Sequence, residues 1–460
     1  MTPLGMEATT VSLSKKALLS HLKTMLANTV LGAANPGEHS GIHTFLGSDS
    51  TISIGIHGAR PITLKMPEST ESTPTLSIVD DGWTALEDFI AEANKDEMIG
   101  EQVGRKAIEQ EVQILVRRWL GRKPDDVLVE GDIRDSLKRL RSLVRTWTVF
   151  FSLENLILKD IDSFRLGRVL LVPTVSCRSD VKSRLFNHID GSASEMAVKL
   201  GSKAQLDDTV SEFWPVAGTT AVLTAEAEES RAGDVARRAL NEALSVLRGF
   251  THLQYPRKNR CLFDLKGRLI RSREAWIGLT DGRWLMHSNV AGALQPYELT
   301  DANVDHLRTS CALGVFDSIL SRRKQERTQL EQAIVVALQW HGAAVNASTP
   351  AEEFVWHTVA IERLLICDKE TSTTDRFADR LAWLLGPSGV ERRKIRSLAT
   401  RLYGIRSDIV HAGETRVEEE HVQHIELLAS GALITMAQQT SQRSTQENFR
   451  DWVEAQKMGG

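Results

Sequence analysis

From Asp317 onward the chain carries helix start and stop signals at such short intervals that helices joined by short loops are the only regular structure it can adopt. Thr349-Pro350-Ala351-Glu352 sets a capping Thr, a Pro at the first helical position and a Glu three residues beyond the cap. Hydroxyl and carboxylate there satisfy backbone N–H groups that a helix start leaves unpaired. The helix that follows extends to about Cys367, with Phe354, Thr358, Ile361 and Leu365 recurring at helical spacing on one inward face. Thr373 and Thr374 precede a helix from Asp375 to Leu385, which Gly386-Pro387 stops. Ser388-Gly389-Val390-Glu391 is a second capping box. Thr415-Arg416-Val417-Glu418 is a third, opening a helix through about Gln439 with Val422, Ile425, Leu428, Ala432 and Met436 inward. Upstream, Asp317 to about Asn346 reads as one long helix. The pattern implies an antiparallel helical bundle over residues 310–442 and a C-terminal tail over 443–460.

Ahead of the bundle the period changes. Residues 13–31 suit an amphipathic helix, Thr51 to Ile56 and Pro61 to Met66 suit strands, and the run from Pro67 to Thr75 suits a loop. Trp83 to Leu120 reads as helix in two pieces around Gly100 and Gly104, and Asp132 to Arg145 as another helix. Trp147 to Leu158, Arg168 to Val175 and Thr219 to Glu226 are strand-like, and Asp234 to Phe250 is helical. Short strands are expected around Lys266-Gly267 and from Arg283 to Met286. The fold class expected is therefore multidomain, an α+β N-terminal region followed by an all-α helical bundle. The α+β part divides into residues 1–145 and 146–305, the second able to continue the first, as 460 residues allow two or three domains.

Composition narrows the function classes. With 42% hydrophobic and 25% charged residues the chain is globular. Cys177, Cys261, Cys311 and Cys367 are far apart with no CxxC pair, against a disulfide framework or a thiolate zinc site and in favour of a reducing cytoplasm. No run approaches the roughly 18 apolar residues of a membrane span. A net charge of −4 leaves any nucleic-acid binding to local clusters. Walker, GxGxxG, HExxH and GxSxG patterns are absent, and no cofactor is implied.

The stretch that suggests chemistry is Leu402 to Gly413, with Arg406 and His411 five positions apart on a helix. At about 100° per residue the two stand about 140° apart, on opposite flanks of an arc formed by Leu398, Leu402, Ile405, Ile409 and Ala412. Joint action therefore requires a distortion near Gly404, the long reach of Arg, or a second copy across a two-fold axis. Histidine can move a proton to or from a 2′-hydroxyl or a leaving oxygen, and arginine matches phosphate oxygens and the charge that builds on them. Tyr403, Ser407 and Asp408 could support them. Arg392, Arg393, Lys394, Arg396 and Arg401 could form a track for a nucleic-acid backbone. The plainer reading is a helix-end histidine beside a surface arginine. Metal chemistry through His411, His421 and His424 is weaker, because His421 and His424 adjoin Glu418-Glu419-Glu420 on a solvated face.

Together with Ala360-Ile361-Glu362-Arg363-Leu364-Leu365 and the run from Arg376 to Leu385, the stretch Leu402 to Gly413 resembles the RxxxxH signature and neighbouring helices of HEPN domains, in particular the Apea-like branch. The resemblance covers about residues 310–440. It implies a helical bundle and a metal-independent endoribonuclease with Arg406 and His411 in the catalytic positions. Ser407 stands directly after the Arg where many active members carry Asn, Asp or His. It further implies RNA as substrate, a homodimer, and a role in anti-phage defence or abortive infection. A phage-derived trigger or regulatory partner would then act through the N-terminal region. A non-catalytic HEPN module that binds nucleotide or nucleic acid is the other reading.

Overall fold

The computed structural model describes residues 13–31, 42–46, 51–56, 62–65, 76–78, 81–120, 122, 125–176, 218–254, 262–266, 268, 272–280, 283–291, 296–366 and 373–458. The loop expected at 67–75 and the region 177–217 lie outside the described residues. The chain forms two compact units, residues 1–147 with 225–235, and residues 148–224 with 236–460.

The first unit opens with α1 (Lys15–Ala27), capped by Ser14, whose hydroxyl accepts from Ala17 N. Strands β1 (Thr29–Leu31), β2 (Ile42–Leu46), β3 (Thr51–Ile56), β4 (Ile62–Lys65) and β5 (Leu76–Ile78) form two antiparallel sheets, β1-β5 and β2-β3-β4. The helix expected in two pieces at 83–120 is three: α2 (Asp81–Ala93), α3 (Glu97–Gln102) and α4 (Arg105–Trp119). One break falls at Gly104, as expected; the other falls ahead of Gly100, where Asp96 caps α3 through Ile99 N. With α5 (Asp126–Ser142), these helices bury Leu18, Leu22, Met25, Phe89, Ile108, Leu115 and Ile133 in one core.

The second unit contains most of a sheet ordered β11-β6-β10-β9-β8, from β6 (Arg145–Glu154), β8 (Phe164–Leu166), β9 (Val169–Pro173), β10 (Thr219–Ala227) and β11 (Asp264–Leu265). Strand β7 (Leu156–Leu158) pairs in parallel with β14 (Tyr297–Leu299), and β12 (Ser272–Thr280) pairs antiparallel with β13 (Arg283–Ala291). Helix α6 (Glu229–Gly249) follows β10. The helical part comprises α7 (Asp301–Ser310), α8 (Leu313–Ser321), α9 (Gln329–Val345), α10 (Pro350–Leu365), α11 (Thr373–Leu385), α12 (Gly389–Ser407), α13 (Glu419–Gln439) and α14 (Gln446–Lys457). Sheet and bundle share this unit: the Gly167 N–H donates to the Asp317 carboxylate of α8 at 2.6 Å.

Three details differ from the expectations drawn from sequence. The basic segment expected inside one long helix is instead a turn between α8 and α9. Arg327 is buried there, its Nε donating to Ile319 O and Arg322 O and its Nη2 to the Glu242 carboxylate at 2.7 Å, while Thr328 and Glu331 build a capping box for α9. Helix α13 starts at Glu419 rather than from a Thr415 cap, because Gly413 turns the chain at φ 71° and the Glu414 carboxylate takes the Arg416 N–H. The expected C-terminal tail is helix α14, with Phe449 and Val453 buried and the Gln446 amide donating to Arg363 O and Leu364 O at the end of α10. The Thr349 and Ser388 caps form as expected, accepting from Glu352 N and Glu391 N. Among the described residues no helix is long and apolar enough to cross a membrane. Cys311 is buried, which pushes its thiol up to about 11.

Candidate Arg/His site

Helix α12 buries Ala399, Leu402 and Tyr403. These positions form a stripe whose next member, seven residues after Ala399, is Arg406. The inward arc is thus rotated from the one expected: Leu398, Ile405 and Ile409 are half-buried and Ala412 is exposed. Arg406 extends the stripe inward, with 21% of its side chain exposed, and its Nη2 donates to Glu362 Oε2 of α10 at 3.4 Å. The guanidinium carbon lies 5.7 Å from the centre of the Tyr403 ring, and Nε is buried without a hydrogen-bond partner. Of the five guanidinium N–H groups one is thus engaged, which leaves Nη1 and the second Nη2 hydrogen for a further acceptor.

Tyr403 is held from both sides. Its ring packs 4.9 Å from that of Phe377 in α11, and its hydroxyl bonds the Glu362 carboxylate. Burial, then this hydrogen bond and the charge of Glu362, push the phenol up to about 12. Tyr403 is therefore a neutral hydrogen-bonding group, and Glu362 orients both it and Arg406. Glu362 had no role assigned from sequence; a single carboxylate beside the apolar stripe of α10 gives little signal.

After Ser407 the helix changes type. Asp408–Ala412 is a π turn, closed by the Gly413 N–H donating to Asp408 O, and Gly413 adopts a left-handed conformation that glycine tolerates without a side-chain clash. The distortion falls here, not at Gly404. A π turn takes more residues per revolution than an α-helix, so each residue advances less and His411 is rotated back toward the flank of Arg406. Asp408, Val410 and His411 are exposed and Ser407 is half-buried.

The five expected backbone-binding cations separate into two groups. Arg392 lies 3.7 Å above the Trp383 ring and donates to Gly386 O, and Arg396 pairs with Asp379 and Asp375. Arg393, Lys394 and Arg401 are exposed and form no ion pair among the described residues. His421 and His424 are half-buried on α13, with His424 Nδ1 3.9 Å from Glu420.

The chain matches no protein-family model, no curated protein and no solved structure.

Proposed function

We propose that the chain is a HEPN-type endoribonuclease that cleaves RNA without a metal, with Arg406 and His411 as the catalytic pair. The observation that carries this is the change from α-helix to π turn between them: an inward Arg406 oriented by Glu362 is followed five residues later by an exposed His411. Pre-oriented cations beside a titratable imidazole suit phosphoryl chemistry. The 2′-hydroxyl loses its proton to an imidazole nitrogen, and its oxygen bonds to phosphorus as the bond to the 5′-oxygen breaks. The departing oxygen takes up a proton, leaving a 2′,3′-cyclic phosphate and a 5′-hydroxyl end. Arg406 balances charge on the non-bridging oxygens. Arg393, Lys394 and Arg401 attract the flanking backbone.

A second copy of the chain would supply a second Arg/His pair across a two-fold axis, and the N-terminal region would restrain or trigger the nuclease during phage infection. The non-catalytic alternative draws on the Glu362 carboxylate, which occupies part of the Arg406 fork. The test incubates the wild type and its Arg406→Ala and His411→Ala variants with RNA, identifies the ends produced, and scores growth and phage plating. Cleavage to 2′,3′-cyclic ends, reduced at least about 100-fold in each variant, is expected. RNA left intact by all three, with equal phage sensitivity, overturns the reading in favour of a binding module.

A further inference from the structure

Away from Arg406, the second unit buries a cluster of chemistry-bearing side chains that the nuclease reading does not use. Glu353 and His357 stand four residues apart on α10, so both project from one face, and Glu426 faces them from α13. One donor atom from each lies within 4.8 Å of the other two, at residue exposures of 8%, 0% and 2%. His252, on the turn Thr251–Leu253 after α6, places Nδ1 3.6 Å from Glu426 Oε1.

The hydrogen bonds behind the cluster assign the ring protons. Gly249 O, which can only accept, lies 2.8 Å from His341 Nε2, so that nitrogen carries the proton and His341 Nδ1 is a bare acceptor. His357 Nδ1, 2.8 Å from His341 Nδ1, must therefore donate. His357 Nε2 is left with a lone pair, fully buried and without a hydrogen-bond partner, 3.7 Å from Glu353 Oε1. The same logic holds for His252. Ser430 Oγ donates its proton to Glu426 O at 3.0 Å, so at 3.3 Å from His252 Nε2 it accepts, and His252 Nδ1 presents a lone pair toward Glu426.

Two basic nitrogens thus face two carboxylates at 3.6 and 3.7 Å. These separations exceed a hydrogen bond. They approach the roughly 3.4 Å between two donors that share one tetrahedral ion at about 2.1 Å.

We propose that Glu353, His357 and Glu426, with His252 beside them, bind a divalent first-row transition cation that clamps α10 to α13. Mixed imidazole and carboxylate donors suit zinc, iron or manganese. His341, held by Gly249 O, is the outer partner that accepts the His357 Nδ1 proton and fixes its tautomer, the role a carboxylate, carbonyl or water usually takes behind a metal-bound histidine. The site is structural: it lies in the core, and its readout is metal content and stability, independent of RNA cleavage.

The test dialyses the full-length protein to remove metal, then titrates zinc against a chromophoric competitor and follows unfolding with and without zinc. About one ion per chain and a raised unfolding midpoint are expected for the wild type and for Arg406→Ala. Glu426→Gln and His357→Gln lose the zinc response, and His341→Gln weakens binding about 10- to 100-fold while circular dichroism stays native. Wild-type protein that takes up no zinc, iron or manganese and shows no shift in midpoint overturns the proposal and leaves a hydrogen-bonded core network. Because the wild type alone decides this, a variant that fails to fold does not blunt the test.

Discussion

Arg406 Nη2 reaches Glu362 Oε2 at 3.4 Å, and the same carboxylate accepts the Tyr403 hydroxyl. Burial comes first, and Glu362 second, in pushing the phenol up to about 12. Glu362→Gln should therefore lower the Tyr403 midpoint in an ultraviolet tyrosinate titration, with Tyr403→Phe subtracted to assign it among the three tyrosines. The folded value lies above the unfolded one of about 10, so the contribution to stability is full below pH ~10 and is lost as pH rises through the folded value. Tyr403→Phe should flatten the alkaline limb of the stability profile. An unchanged limb would show that the Tyr403 phenol is not raised in the folded protein, and an unmoved Tyr403 midpoint in Glu362→Gln that Glu362 does not hold it.

On the acid side the relevant group is Asp379 of α11. Burial pushes its carboxyl up, but the hydrogen bond from Arg396 and the charge and hydrogen bond of Lys457 outweigh this and hold it below the usual carboxylate value. Its contribution is present above the unfolded pKa of about 3.9 and lost as pH falls through the lower folded value. Asp379→Asn should remove that part of the acid-limb loss, a change of about 1 kcal/mol or less because the network is largely solvated. Thermal melts of both proteins from pH 6 down to about 2 check it. Parallel curves would discount the network.

The basic face of α12 should separate by function. Arg392→Ala removes a cation from the Trp383 face and a hydrogen bond to Gly386 O at 2.8 Å, at a cost of about 1–2 kcal/mol. Arg393→Ala should stay within about 0.5 kcal/mol, as usual for an exposed side chain. RNA binding should show the reverse. Replacing any one of Arg393, Lys394 and Arg401 by Ala frees one phosphate of its cation and lowers the salt slope of log affinity by roughly 0.7, while Arg392→Ala leaves the slope alone. Fluorescence anisotropy over a salt series measures this. Equal slopes for all four variants would remove the track from the proposed mechanism.

Helix ends in the bundle were legible because their chemistry is local: Thr349 and Ser388 each need only the residue three beyond the cap. The turn at Arg327 was not legible, since Glu242, the partner that makes a buried guanidinium tolerable, lies 85 residues away. The same limit hid the geometry of the Arg/His stretch. The Arg and His were visible from their spacing, but the stripe onto which Arg406 falls is set by Glu362 and Phe377 on other helices, and no periodicity announces a π turn. Glu353 and His357 have helical spacing, yet their meaning depends on Glu426, brought near only by packing of α10 on α13.

The last test concerns the support behind His357. A methyl group added at Gly249 would stand 2.6 Å from His341 Cδ2, closer than any real side-chain contact, and His341 is fully buried with both ring nitrogens engaged. Gly249→Ala must displace the ring or the end of α6, and should cost about 1–3 kcal/mol in metal-free protein. Gly404 is the opposite case. It lies within α12 with nothing inside 4 Å of the position a methyl would take. Gly404→Ala should therefore stabilise by up to about 1 kcal/mol, because alanine restricts the unfolded chain and favours helix. Chemical denaturation of the two variants beside wild type checks both signs. A neutral Gly249→Ala would mean that His341 is free to reorient, and with it the assignment of the His357 lone pair would fall.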